Sequence, residues 1–208
     1  MNAVVITGGE APGAEYLVGT LAEADLVVAA DSGLDTARRL GARPEIIVGD
    51  FDSLSNESLL DDYPDATVRR HPTAKDFTDT ELALEAAWEA GATRVTLVGG
   101  GGGRMDHLLA IVAIFERARR PDVWITGGEV VTTVERETVV RGRRGEIVSL
   151  FPLGCVPCTM SSRGRRWELD EVCFERGDAG VSNELDAAEA HIRVERGRLL
   201  MIRPIGDA

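Results

Sequence analysis

The sequence predicts an α/β chain with an N-terminal Rossmann-like parallel-sheet domain over residues 1–127 and a C-terminal antiparallel β-sandwich domain over 128–208. Three observations carry that expectation. Near-continuous apolar runs recur through the first 126 residues, each followed by a helix-length segment, as in a parallel sheet covered on both faces. Beyond residue 127 the runs become short and rich in Val and Ile alternating with Arg or Glu, with Gly and Pro between them and no sustained helical period. A length of 208 residues suits one large domain or two small ones.

The first strand is expected at 4–7, followed by strands at 26–30, 46–48, 95–98 and 123–126. Helices are expected at 13–22, 34–40, 77–90 and 106–120. Leu108, Ile111, Val112 and Phe115 share one helix face, with Pro121 as the stop; Leu84, Ala87 and Trp88 share another, which Gly91 ends. In the second part, strands are expected at 130–134, 137–141, 146–151, 165–169, 190–194 and 198–203. Trp88 and Trp124 lie in apolar segments and read as core.

Composition narrows the function classes. Apolar residues make up 44% and charged residues 28%, as in ordinary globular proteins. The longest apolar run, 108–115, is too short to span a membrane, and the N-terminus lacks the basic and apolar regions of a secretory signal. Three cysteines argue against a disulfide framework and point to a reducing cytoplasm. A net charge of −12 makes nucleic acid an unfavourable partner. Most of the acidic excess falls in the first 120 residues, either as a solvated surface or as ligands for divalent cations.

The chemistry-bearing residues follow predicted strands, where open parallel sheets bind their ligands. They are Asp31-Ser32-Gly33, Gly49-Asp50-Phe51-Asp52-Ser53, and the glycine run 99–103 followed by Arg104-Met105-Asp106-His107. In an extended segment the carboxylates of Asp50 and Asp52 point the same way, and a divalent cation relieves their repulsion; the alternative is a capped turn. The glycines let backbone amides approach phosphate, and Arg104 can clamp its oxygens, although neither G-x-x-x-x-G-K-[ST] nor G-x-G-x-x-G is matched. Asp106 can equally be a helix N-cap and His107 an ordinary first-turn residue. Lys75, the single lysine, precedes Asp76, Phe77, Thr78, Asp79, Thr80 and Glu81, where Thr78 and Glu81 have capping-box spacing. Asp76 and Asp79 share one side if both lie in the first helical turn, and Lys75 is then either a phosphate contact or a surface ion pair. Cys155 and Cys158 have C-x-x-C spacing, but the second domain adds only Cys173 and His191, so ordinary thiols are expected.

Taken with Gly164-Arg165-Arg166-Trp167-Glu168-Leu169 and Val181-Ser182-Asn183-Glu184, these segments resemble the thiamine pyrophosphokinase family in order and over nearly the whole length. The resemblance implies an α/β catalytic domain paired with a β-sandwich that binds thiamine and dimerises. It implies transfer of the pyrophosphoryl group of ATP to the thiamine hydroxyl, giving thiamine diphosphate and AMP, with Mg²⁺ as cofactor. It further implies a homodimer with thiamine held between one subunit's catalytic domain and the other's sandwich. Carried onto this chain, Asp50, Asp52, Asp76, Asp79, Lys75 and Arg104 are catalytic, and Asp31, Asp50, Asp52 and Asp79 hold the metal. Asp31, Ser32, Gly33, Lys75, Arg104, Asp106 and His107 contact the nucleotide, with Asp106 completing the acidic cluster. Trp167, Ser182 and Asn183 contact thiamine. This chain has Arg165 where the family usually has leucine, and Ile111 where it often has asparagine.

Three other readings use the same residues. One is a pyrophosphokinase acting on another alcohol, such as a pterin. Another is a metal-dependent phosphohydrolase, since clustered aspartates also activate water. The third is a nucleotide-binding module without catalysis.

Overall fold

A computed structural model describes residues 1–206 and resolves two compact units, Met1–Gly128 and Glu129–Gly206. The first unit runs β1 (Asn2–Thr7), α1 (Ala14–Ala22), β2 (Leu26–Ala30), α2 (Gly33–Leu40), β3 (Ile46–Gly49), β4 (Thr67–Arg70), α3 (Asp79–Glu89), β5 (Arg94–Val98), α4 (Met105–Ile114) and β6 (Val123–Ile125). A 3-10 helix, Glu57–Asp62, precedes β4. The strands pair in parallel in the order β6, β5, β1, β2, β3, β4. β1 and β2 bury nearly every side chain, the consequence of helices on both faces. Successive strands step outward from β1 to β4, and β5 returns to the other side of β1. The loops after β1 and β5 therefore flank the point where strand order reverses, the usual ligand crevice of such sheets.

In this unit β4 and α4 depart from expectation, as does Trp88. β4 carries the sequence Thr-Val-Arg-Arg and is mostly exposed. It is an edge strand, and edge strands carry charge rather than the apolar run that announces a buried one. α4 ends at Ile114 instead of residue 120, because Phe115, Glu116 and Arg117 close tight turns onto Val112, Ala113 and Ile114. Trp124 is core at 3% exposure, whereas Trp88 is only half-buried beneath the Arg119 guanidinium.

The second unit contains β7 (Glu129–Val134), β8 (Glu137–Arg141), β9 (Ile147–Pro152), β10 (Cys158–Arg163), β11 (Leu169–Phe174), β12 (Gly180–Glu184), β13 (Glu189–Arg196) and β14 (Leu199–Pro204). Antiparallel pairing gives β12, β9, β14, β7 in one sheet and β11, β10, β13, β8 in the other. One shared core joins them, with Val148, Leu150 and Leu199 from the first sheet against Met160, Ala190 and Ile192 from the second. The segment 165–169, expected as a strand, is instead the crossing from β10 to β11. Gly164 in the left-handed region (φ 78°) turns the chain out of β10, Arg165 keeps an isolated bridge to Leu185, and pairing resumes at Leu169, which opens β11 opposite Ser162. β10, β11 and β12 were not expected, since their Ser, Asn, Asp and Glu content hides the apolar alternation. Cys155, Cys158 and Cys173 are free thiols, and burial raises the Cys158 thiol to about 11. Among the described residues no helix is long and apolar enough to cross a membrane.

Candidate active site

A cleft of about 560 Å³ opens at the carboxyl ends of β1, β2, β3 and β5. Its lining includes Asp31, Ser32, Asp50, Asp52, Lys75, Asp79, Gly100–Gly103, Arg104 and His107. Four separate stretches of sequence thus meet at one rim. Asp76, Asp106 and Gly33 are not part of the lining.

Asp31 follows β2 directly and is 8% exposed. Its backbone is left-handed (φ 46°), with its N–H donated to Val48 at 2.8 Å and its carbonyl accepting from Leu34 at 2.9 Å. That conformation is rare outside glycine and persists because β3 and α2 hold it from both sides. Burial raises the Asp31 pKa, the carboxylates of Asp79 and Asp50 add to the effect, and a Ser32 backbone hydrogen bond opposes it. Its Oδ1 is buried without a hydrogen-bond partner.

Asp50 follows β3, and Asp79 opens α3, where the helix dipole favours a carboxylate. Carboxylate oxygens of Asp31, Asp50 and Asp79 all lie within 4.8 Å of one another. Lys75 answers this charge. Its Nζ donates to Asp50 at 2.9 Å and pairs with Asp79 at 3.0 Å, and its side chain is only 13% exposed. The Lys75 hydrogen bond holds Asp50 below the usual carboxylate range. Burial works against the lysine charge, but the bonds to Asp50 and Asp79 outweigh it and raise its pKa. A screened surface pair does not have this geometry.

Asp52 parts from Asp50. Phe51 between them is left-handed (φ 67°) because its ring turns into a cluster with Ala29, Leu34, Ile47 and Leu59. The segment is therefore not extended, and the alternation that would align the two carboxylates is lost. Asp52 stays in the cleft lining but is exposed, accepts the Ser53 hydroxyl at 2.8 Å, and stands outside the three-carboxylate group. Asp76 lies before the N-cap Thr78 rather than in the helix, and is exposed, so it does not share a side with Asp79. The capping box of Thr78 and Glu81 is present.

The glycine loop takes positive φ at Gly99, Gly100, Gly102 and Gly103, with values from 61° to 96° that no other residue adopts at low cost. It is laced to the loop after β1 by Gly100 N–H to Gly8 and Glu10 N–H to Gly101, both at 2.7 Å. Arg104 is the backbone N-cap of α4, displacing Asp106 from that role. Asp106 is exposed and does not complete the acidic cluster; it accepts both arms of the Arg104 fork, at 2.5 and 3.1 Å. His107 lines the cleft from the first turn of α4. Ser32 faces the cleft, but Gly33 serves packing: a Cβ there would stand 2.2 Å from the Ile6 carbonyl oxygen.

Sequence reasoning missed Thr7 and Thr80, which line the cleft with their buried hydroxyls 2.7 Å apart, and Gly8 and Gly9 beside them. The Gly8-Gly9 pair directly after the first strand was the available signal.

In the second unit, Trp167 is 54% exposed, with the Arg166 guanidinium 4.8 Å above its ring. Asn183, 7% exposed, accepts the Trp167 N–H at 3.2 Å and donates to the Trp167 carbonyl at 2.8 Å, so its amide is directed to the tryptophan backbone. Ser182 is exposed and left-handed (φ 57°) at a bulge in β12, its N–H donated to Ser149.

Comparison with known proteins bears on both units. The catalytic-domain model of thiamin pyrophosphokinase matches residues 18–126, and the vitamin B1 binding-domain model matches 133–199. A curated relative, the thiamine pyrophosphokinase of Bacillus subtilis (strain 168), is 23% identical over 206 residues, spanning 96% of each chain. The crystal structure of thiamin pyrophosphokinase from Geobacillus thermodenitrificans is 30% identical, with a TM-score of 0.81 over 100% of this chain and 99% of that one. The Candida albicans enzyme shares the fold at 14% identity and a TM-score of 0.80, covering 99% of this chain and 89% of its own. The catalytic-domain match alone spans more than half of the sequence, and the chain belongs to the thiamin pyrophosphokinase family.

Proposed function

We propose that the chain transfers the pyrophosphoryl group of ATP to the hydroxyl of thiamine, releasing AMP. The observation that carries this reading is the group of buried Asp31 with half-buried Asp50 and Asp79, the last two bridged by Lys75, in a cleft lined by glycines. The residues present fit a divalent cation. Three carboxylate oxygens within 4.8 Å repel one another, and the Asp31 Oδ1 has no hydrogen-bond donor. Asp31, Asp50 and Asp79 would hold Mg²⁺, which when bound supplies neutralisation of the polyphosphate charge.

The remaining work falls to this chain's own groups. The amides of the glycine loop and the N-terminus of α4 favour phosphate oxygens. The Lys75 ammonium and the Arg104 guanidinium face negative charge that grows on the transferred group and on the departing AMP. Arg104 must exchange its fork from Asp106 to phosphate, which its exposure permits. A carboxylate of the cluster accepts the proton of the attacking hydroxyl. Trp167 offers an indole face to the cationic thiazolium, a contact worth roughly 0.5–2 kcal/mol. The free thiols suit a reducing cytoplasm, and the family resemblance suggests a homodimer, which light scattering of the purified chain would read.

The test is incubation with ATP, Mg²⁺ and thiamine, with detection of AMP and thiamine diphosphate. Inorganic phosphate without thiamine diphosphate would instead mark a phosphohydrolase. Transfer only to another alcohol, such as a pterin, would keep the chemistry and replace the substrate. ATP binding without turnover on any alcohol would leave a nucleotide-binding module.

A further inference from the structure

Arg165 is the most deeply buried charged side chain of the second unit, at 3% exposure. Its Nη2 donates to the Val148 carbonyl at 2.9 Å, while Nε and Nη1 have no hydrogen-bond partner. Burial alone pulls its pKa down, to about 10. A guanidinium held this way, with one bond and no carboxylate partner, stabilises a sandwich less than an aliphatic side chain of the same size would. Core stability does not account for it.

Its connections run to Trp167. Val148, which receives the Arg165 bond, is the ladder partner of Asn183 on the neighbouring β12. Asn183 in turn clamps the backbone of Trp167 on both sides, N–H and carbonyl. The backbone between them is laced to the same strand end: Arg165 bridges Leu185, Arg166 N–H donates to Glu184 at 2.9 Å, and Asp186 N–H donates to Gly164 at 2.9 Å. The half-exposed indole is thus carried on a crossing segment that pairs through one isolated bridge and its flanking backbone bonds, next to two buried polar side chains, Arg165 and Asn183.

We propose that Arg165 is a positioning residue for thiamine recognition, acting through Val148 and Asn183 to fix the Trp167 indole. This rests on the thiamine reading given above and extends it to a residue that need not touch the substrate.

The test compares wild type with Arg165→Met, which keeps the length and loses the donors, and with Arg165→Lys, which keeps one donor head. For R165M the expected result is a thiamine KM raised about fivefold, as for loss of one net hydrogen bond. The ATP KM and kcat stay within about twofold, and melting is no lower than that of the wild type. R165K recovers at least half of the KM change. A second readout needs no activity: with 5-fluorotryptophan incorporated, the Trp167 ¹⁹F resonance, assigned by Trp167→Phe, shifts or broadens in R165M while those of Trp88 and Trp124 stay in place. An unmoved Trp167 resonance overturns the proposal, as does an unchanged thiamine KM in folded R165M. So does an R165M that melts early or fails to fold, because Arg165 then supports the sandwich as a whole. A wild type that makes no thiamine diphosphate removes the substrate reading instead, and the fluorine spectrum still decides whether Arg165 positions Trp167.

Discussion

Replacing Lys75 by methionine isolates the electrostatics of the cleft. The wild-type ammonium sits 2.9 Å from Asp50 and 3.0 Å from Asp79, and the side chains of Lys75, Asp50 and Asp79 are 13%, 10% and 24% exposed. Carboxylate oxygens within 4.8 Å of one another repel by at least about 3.5 kcal/mol per pair at an effective dielectric of about 20. Water entry and proton uptake relieve part of that, leaving a loss of about 2–3 kcal/mol, near the lower end for breaking a buried pair. Urea denaturation of both proteins, in EDTA and in Mg²⁺, reads the effect. With a slope of about 2 kcal/mol/M, the midpoint of Lys75→Met in EDTA falls by about 1–1.5 M. Mg²⁺ at about ten times its Kd then restores about 1.4 kcal/mol in the variant, by binding only the folded carboxylate group. In the wild type the gain is smaller, because Lys75 already balances Asp50 and Asp79. The reasoning is refuted if K75M matches the wild type in EDTA, or if Mg²⁺ raises both midpoints equally.

Asp50→Asn is expected to lower kcat for thiamine diphosphate formation at least about 100-fold. Asp52→Asn, whose carboxylate is exposed and outside the three-acid group, should cost about tenfold or less in the same steady-state assay. Glu81 is held below its usual pKa: burial opposes the charge, but hydrogen bonds from the Thr78 N–H and from Arg117 prevail. Its contribution is therefore present above its unfolded value near 4.5 and lost as pH falls through the lower folded value. Glu81→Gln should consequently melt below the wild type at pH 7, by about 1 kcal/mol, with the gap narrowing as pH falls below 4.5 in a melting series. Gly33→Ala drives a Cβ to 2.2 Å from the Ile6 carbonyl oxygen, so α2 must shift from β1. Its loss of about 2 kcal/mol or more in urea denaturation would separate a packing glycine from a ligand-binding one.

Much of this architecture was legible from residue order alone. The uninterrupted apolar runs of β1, β2, β3 and β5 can be satisfied only by burial on two faces, which calls for helices between parallel strands. Once the strands are parallel, whatever follows their carboxyl ends converges on one rim. Asp31, Asp50, the glycine loop and Arg104 needed no further information to be placed there. Of the strands that escaped notice, β4, β11 and β12 have side chains that answer mainly to solvent or to polar neighbours, and β10 sends Cys158, Met160 and Ser162 inward, a set too polar in type to announce a buried face.

The division of labour among the acids was not legible. Asp50 and Asp52 are alike in type, spacing and loop, and they part because the ring of Phe51 gains more by joining Ala29, Ile47 and Leu59 than its backbone loses in the left-handed region. Asp76 and Asp79 part because the helix starts at the Thr78 cap and no earlier. Lys75 becomes a half-buried bridge only when β3 and α3 bring their acids to either side of it. Periodicity reports which face a residue prefers. Where a carboxylate's charge must be answered depends on groups that are far apart along the chain and meet only in the folded molecule.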